Sequence, residues 1–409
     1  MAALLCVYLL ARWPARRFVR GLAIAGLGTI VGLLVSWLVS DVWNVFGVSL
    51  TGVVRMWVAL AFAGVFLAVA NLFRSRCWRK AVAVVCLGAF AVMAAAGINV
   101  DFGAYRNLND ALGISPYPAL SAARLMGHAG TMDTALASTW RPPAGMPSHG
   151  TVGMVSIPGI RSHFAARKGV VYLPPASLVA HPPVLPVAIL FAGQPGAPTD
   201  MFTSGRVATT LDAYAAKHHG LAPIVVVPDQ LGRPDKNPMC VDSPLGHVAT
   251  YVTQDVVGWI RGHVNVADSP RYWAIGGYSE GGTCAIQFGA GHPNLFGSII
   301  DILGQLQPTI GPGTVAKAFH GSAAAYNAVK PLTLLTQHTP YADSVAIFGE
   351  GTNDPKYVRY GRQVKAAAAK AGMRTHLIMS PKSGHDWNTV RYVLARALPE
   401  LFTRLGLGR

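Results

Sequence analysis

Three runs of apolar residues, 21–40, 52–73 and 81–100, fill most of the first hundred positions, and each reaches or nearly reaches the ~20 residues a helix needs to cross a bilayer. A chain that opens this way cannot close around one water-facing core. A fourth run, 1–10, is too short to span unaided; it reads as an interfacial stub, or as the end of a helix that starts upstream and would make a fourth span. Arg12, Arg16, Arg17 and Arg20 precede the first full run, and Arg74, Arg76, Arg79 and Lys80 separate the second from the third. The 41–51 connection carries neither Lys nor Arg. Positive residues stay on the cytoplasmic side, so everything after Val100 is expected outside the membrane. Arg55, near the outer end of its run, is expected to snorkel to the headgroups. A cleaved signal peptide would account for one apolar run, not for several divided by basic connectors.

The formal charge of +16 divides evenly: 9 Lys/Arg and 1 Asp up to residue 100, then 25 Lys/Arg and 17 Asp/Glu, which is +8 on each side. The first share is orientation signal. The second makes a moderately basic outer domain beside a membrane, where attraction to anionic lipid is expected. Its basic residues are scattered and no nucleic-acid-binding motif is present, so nucleic acid is excluded as a partner. Cys6, Cys77 and Cys86 fall in or beside the apolar runs, whereas Cys240 and Cys284 are the one pair in the outer domain. Two thiols in an oxidising compartment can form a disulfide, but their spacing does not show that they meet.

Residues 101–150 lose apolar periodicity and end in the Pro- and Gly-dense "STWRPPAGMPSHG", which reads as a stalk or linker with one short helix. From 151 onwards short β-prone runs (152–157, 169–173, 187–191, 224–227, 272–275, 297–302, 344–348, 375–379) alternate with helical stretches (200–217, 246–263, 281–290, 357–371, 388–405). That alternation predicts an α/β domain over 151–409, a mostly parallel sheet with helices on both faces. The continuous apolar character of "VAILF" and "PIVVV" fits strands buried on both sides.

Within that domain "YWAIGGYSEGGTCAIQFG" places Gly277-Tyr278-Ser279-Glu280-Gly281 between a β-prone run and a helical one. A nucleophilic serine on a tight strand-to-helix turn needs that order, with small residues on either side. The helix that follows would aim N–H groups at a developing oxyanion, Glu280 N–H first. Serine needs a base, and of thirteen histidines His385 in "SPKSGHDWNTV" follows the last strand and precedes the last helix, the position such a base takes. Tandem His218-His219 reads as a solvated helix end, and no His-x-x-x-His metal spacing occurs. The acid should come from "FGEGTNDPKY": Asp354, before a Pro that can open a helix, is preferred, with Glu350 as the alternative. Asp301 is a weaker third candidate, read as a structural hydrogen-bonding group, and Asp386 should point away from its neighbour His385. "AILFAGQPGAPTDMF" offers the second oxyanion donor; Pro195 has no N–H, so Gln194 is the choice. A plain Gly-rich turn would account for either glycine cluster alone, but not for a serine, a histidine and an acid in this chain order.

"VVYLPPA", "AGQPGAPTDMF", "AIGGYSEGGTCAIQFGAGHPNLF", "GEGTNDP" and "SGHDW" in this order resemble the esterase D and mycolyltransferase-like branch of the α/β-hydrolase superfamily, over about residues 151–405. With the multi-span N-terminus and "INVDFGAYRNLNDALG" leading out of it, the layout is similar to a group of membrane-anchored actinobacterial esterase-family proteins. In that group "CVDSPLG" and "SEGGTC" recur together, which implies a Cys240–Cys284 disulfide. The resemblance implies an acyl-enzyme on Ser279 without metal or organic cofactor. "GEGTNDP" departs from the mycolyltransferases toward the esterase D form. Three readings follow: hydrolysis of a carboxyl ester of a lipid or cell-envelope component, acyl transfer to a sugar or lipid hydroxyl, and a catalytically silent binding or scaffold domain. The sequence does not determine the acyl group or the oligomeric state.

Overall fold

The computed structural model describes residues 2–11, 14–43, 50–73, 75–121, 125 and 127–408; Arg12 and Arg74 of the basic connectors, and 44–49 of the uncharged one, lie outside the described residues. The chain divides into two compact units, Met1–Ala104 and Tyr105–Arg409.

The first unit is helical: α1 (Ala2–Leu10), α2 (Ala15–Trp37), α3 (Gly52–Leu72) and α4 (Cys77–Phe102). With the π-helical turn that prolongs α2, three helices are long and apolar enough to cross a membrane, Ala15–Val42, Gly52–Leu72 and Cys77–Phe102. The 9 residues of α1 rise only about 14 Å, too little to span. Small residues let α2 and α3 touch backbone to backbone: a Cβ on Gly28 would lie 2.7 Å from Phe62 O, and one on Gly32 2.8 Å from Ala59 Cα. Arg55, expected to snorkel to the headgroups, pairs with Asp41 at 2.6 Å and donates through Nε to Leu50 O at 3.1 Å.

The second unit is built on eight strands: β1 (Thr151–Val155), β2 (Gly169–Leu173), β3 (Val187–Phe191), β4 (Ile224–Val227), β5 (Trp273–Tyr278), β6 (Ser298–Ile302), β7 (Val345–Gly351) and β8 (Arg374–Ser380). They lie in the order β1-β2-β4-β3-β5-β6-β7-β8, with β2 antiparallel to both neighbours and every later pairing parallel. Strands β2 to β7 are buried along their whole length, as continuous apolar runs require when helices cover both faces. The main covering helices are α5 (Val207–Ala215), α6 (Glu280–Gly291), α7 (Pro355–Lys370) and α8 (Trp387–Arg404). The architecture is the α/β-hydrolase one, and loops at the carboxyl ends of β3, β5, β7 and β8 meet along one edge.

Several stretches differ from the sequence reading. Residues 101–150 do not form a free linker. The first two end α4, and further along Ala119, Gly130 and Trp140 are fixed within the second unit by a parallel bridge Ala119↔Met154, another Gly130↔Ala267, and a Trp140 Nε1 bond to His219 O of 3.0 Å. Met132 and Leu136 are buried there, two apolar side chains in a segment otherwise read by its Pro and Gly. Between β6 and β7 three short helices, Thr314–Phe319, Ala323–Ala328 and Pro331–Gln337, form a cap whose Phe319 and Tyr326 pack on Met239 and Val241. Each has at most 7 residues, too few for a helical period to stand out in sequence.

Candidate active site

Strand β5 ends at Tyr278 and α6 begins at Glu280, so Ser279 alone makes the turn, with φ 59° and ψ −116°. This is strained backbone for a residue with a Cβ, and the surroundings impose it. A Cβ on Gly277 would lie 2.3 Å from Gly281 O, and one on Gly281 2.4 Å from Ala192 O. Both glycines of the pentapeptide are therefore obligatory for close packing of α6 on β5 and β3. Ser279 N donates to Ile302 O at 2.8 Å, which fastens the turn to the end of β6.

The loop after β8 brings His385 to this serine, Nε2 to Oγ 2.8 Å. Tyr278 and Tyr357 flank the imidazole, ring centroids 5.4 and 4.2 Å away, and Tyr278 OH donates to His385 O at 3.0 Å. Asp386 turns away as expected: Oδ1 accepts from Asn388 N at 2.8 Å and Thr389 N at 3.0 Å, capping α8.

Of the two acids in the β7–α7 loop, Asp354 faces the histidine, Oδ2 lying 3.4 Å from Nδ1. That is ion-pair distance without a well-aligned hydrogen bond, and Nδ1 has no other hydrogen-bond partner among the described residues. The other oxygen, Oδ1, caps α7 by accepting from Tyr357 N at 3.2 Å, and Pro355 fills the next position, where a missing N–H costs nothing. Glu350 is placed differently. It is 1% exposed, its Oε1 packs at Gly361 of α7, and its Oε2 has no partner among the described residues. Burial, then the charges of Asp301 and Asp354, push its carboxyl up to about 10, so it stays neutral. Asp301 lies against Gly282 and Gly304 under the start of α6, and burial pushes it up to about 7.

The loop after β3 closes on the serine from the other side, where a Cβ on Gly193 would lie 3.3 Å from Ser279 Cβ. The backbone N–H groups of Gln194 and Glu280 have no acceptor among the described residues. Several neighbours carry no sequence signal. Gln230 Nε2 donates to Ala192 O at 2.7 Å and to Glu280 Oε2 at 3.1 Å. Asp229 binds Arg167 through three contacts, Nη2–Oδ1 2.7 Å, Nε–Oδ2 3.0 Å and backbone N–Oδ2 2.6 Å, and Arg167 Nη2 also holds Gly196 O at 2.9 Å. Nothing in "IVVVPDQLG" separates these residues from an ordinary strand-end turn. Cys240 and Cys284 are joined as a disulfide, Cα atoms 5.5 Å apart, with Glu280 Oε1 resting 3.0 Å from Cys284 Sγ. The sulfurs are bonded to each other, so this cluster offers no thiolates to a cation. Burial raises the Glu280 carboxyl to about 7, the Gln230 bond opposing.

The profile of the Esterase family matches residues 165–401. An uncharacterised protein of Corynebacterium glutamicum is 37% identical over 254 residues, which cover 60% of this chain and 59% of that protein, so the match spans less than two thirds of the relative. Among solved structures, a ferulic acid esterase superposes with a TM-score of 0.54 at 16% identity, over 65% of this chain and 100% of its own. An S-formylglutathione hydrolase from Agrobacterium tumefaciens gives 0.51 at 18%, over 63% and 97%. A fluorophosphonate-binding serine hydrolase of Staphylococcus aureus gives 0.50 at 14%, over 62% and 98%. At these identities the superpositions speak for the fold alone.

Proposed function

We propose that this chain, which belongs to the Esterase family, is a membrane-tethered serine esterase that cleaves carboxyl esters of a lipid or cell-envelope component outside the cell. One observation carries the reading: on a backbone strained at φ 59°, the Ser279 hydroxyl lies 2.8 Å from an imidazole. A carboxylate stands on the imidazole's far side, the unclaimed N–H of Glu280 follows the serine in the chain, and the loop that carries the unclaimed N–H of Gln194 approaches the serine at Gly193. Oγ attacks the ester carbonyl while His385 Nε2 takes its proton, and Asp354 stabilises the imidazolium. The tetrahedral oxyanion falls to the N–H groups of Gln194 and Glu280. Collapse expels the alcohol, protonated by His385, and leaves an acyl-Ser279 that water hydrolyses by the same steps. The 3.4 Å between His385 and Asp354 is a contact of the kind that shortens as charge develops.

The lipid-side assignment rests on three span-length helices and on the +8 of the chain after residue 100. Spans with basic connectors argue for an anchor, with the esterase unit on the outer side. The test is labelling of the purified protein by a fluorophosphonate, comparing wild type with Ser279→Ala and His385→Ala. Labelling of the wild type and of neither variant is expected; a folded wild type that takes no label overturns the reading. Assaying an ester with and without added alcohol then shows whether water or a hydroxyl is the preferred acceptor.

A further inference from the structure

The oxyanion donors come from parts of the chain far apart in sequence, Gln194 after β3 and Glu280 at the head of α6, and something must hold them in register. Gln230, 1% exposed in the turn after β4, bonds to the loop that carries the first and to the side chain of the second. Its amide nitrogen donates one hydrogen to the carbonyl of Ala192, two residues before Gln194, and the other to the side chain of Glu280. A carbonyl can only accept, so the amide orientation is fixed by Ala192. The next residue back in the chain grips the far end of the same loop: Asp229, fully buried, holds Arg167, which holds Gly196 O. Asp200 closes the remaining turn by accepting from Ala197 N at 2.8 Å. On its other side Glu280 rests on the Cys240–Cys284 disulfide, so its side chain is held between an amide and two sulfurs.

Resting on the acyl-enzyme reading above, we infer that Gln230 is a positioning residue of the oxyanion hole, the side-chain amide that sets the Gln194 N–H and the Glu280 N–H at a fixed separation around Ser279. It touches no reacting atom. It acts because an oxyanion hole is worth most when its dipoles are already aimed before charge develops. Loss of Gln230 leaves both N–H groups in the protein but frees the strand end that carries one of them, and a displacement of about 1 Å at such a site costs on the order of a hundredfold.

The experiment uses the full chain in detergent micelles, with Gln230→Met, which keeps the volume and removes both bonds, and Gln230→Glu, which keeps the length and turns a donor into an acceptor. Thermal melts establish that each is folded, and Gln230→Glu serves should Gln230→Met fail to fold. The substrates are p-nitrophenyl butyrate and its thiono analogue, whose sulfur accepts hydrogen bonds poorly. The expected result is a kcat for the oxo ester lower by about 10- to 100-fold with KM within about threefold, the pattern of an interaction made in the transition state. The wild-type preference for oxo over thiono ester should shrink in step. A kcat within twofold of wild type, or a lower kcat with the oxo-to-thiono ratio unchanged, overturns the assignment and leaves Gln230 as a packing group. A wild type that hydrolyses neither ester and takes no fluorophosphonate label removes the parent reading and this one with it. Labelling of the wild type separates the two failures.

Discussion

Asp354 divides its two oxygens between helix α7 and His385. Asparagine can keep the capping bond but cannot stabilise an imidazolium. Asp354→Asn should therefore leave the melting temperature nearly unchanged while kcat falls by on the order of a hundredfold or more. Glu350→Gln, by contrast, should leave kcat within a few-fold, and steady-state assays of the two variants check both expectations. Glu350 speaks instead to stability. Its carboxyl sits near 4.5 when exposed and about 10 in the fold, so the folded chain keeps a proton that the unfolded chain has lost. That contribution is complete below about 4.5 and drains away as pH rises toward 10, making the wild type less stable with rising pH across this window. Gln cannot ionise, and by pH 9 Glu350→Gln should be clearly the more stable, with little difference at pH 5. Melting curves against pH read this directly. Ser279, His385 and Asp354 were legible because a nucleophile elbow, a loop after the last strand and an Asp-Pro helix start are local patterns. The neutral state of Glu350 was not, because it follows from what α7 and β6 place around the carboxyl, and those neighbours are 11 and 49 residues away at Gly361 and Asp301.

At the scale of elements, the inner strands β2 to β7 were readable because each is a short apolar run buried on both faces, and the α/β alternation implied a mostly parallel sheet. The stretch 246–263, expected as one helix, is instead a small hairpin, Asp242–Ser243 with Gly246–His247, followed by helical pieces and a π-turn, Tyr251–Val256. Period alone does not reveal such a change of winding. The disulfide joins two elements that the sheet does not connect directly, the turn region after β4 and the second turn of α6. Closing a separation of 44 residues restricts the unfolded chain, an effect of about 4 kcal/mol on the loop-entropy account. Cys284→Ser, or reduction of the wild type, should lower the melting temperature, and adding reductant to the variant should lower it no further. A variant that remains sensitive to reductant would show that another thiol pair carries the effect.

For the molecule as a whole, the spans and the esterase unit make separable predictions. The unit expressed as residues 105–409 should hydrolyse a soluble ester with a kcat close to that of the full chain. Against an ester embedded in liposomes it should lose rate by about tenfold or more, since tethering raises the effective concentration of site and substrate. Equal rates on liposomes would mean that the spans do not deliver the site to lipid. The starting residue of that expression unit matters more than the family match suggests. Strand β1 is the outermost of the sheet, and its free edge is closed by backbone bonds, Leu120 N to Met154 O at 3.0 Å and Met154 N to Pro118 O at 2.8 Å. Trimming to 151 uncovers that edge, and trimming to the matched residues 165–401 removes β1 and bares β2 in its place. An uncapped edge is a template on which the strand of another molecule can continue the ladder. A recombinant fragment cut at the homology boundary is thus one designed, without intent, to polymerise.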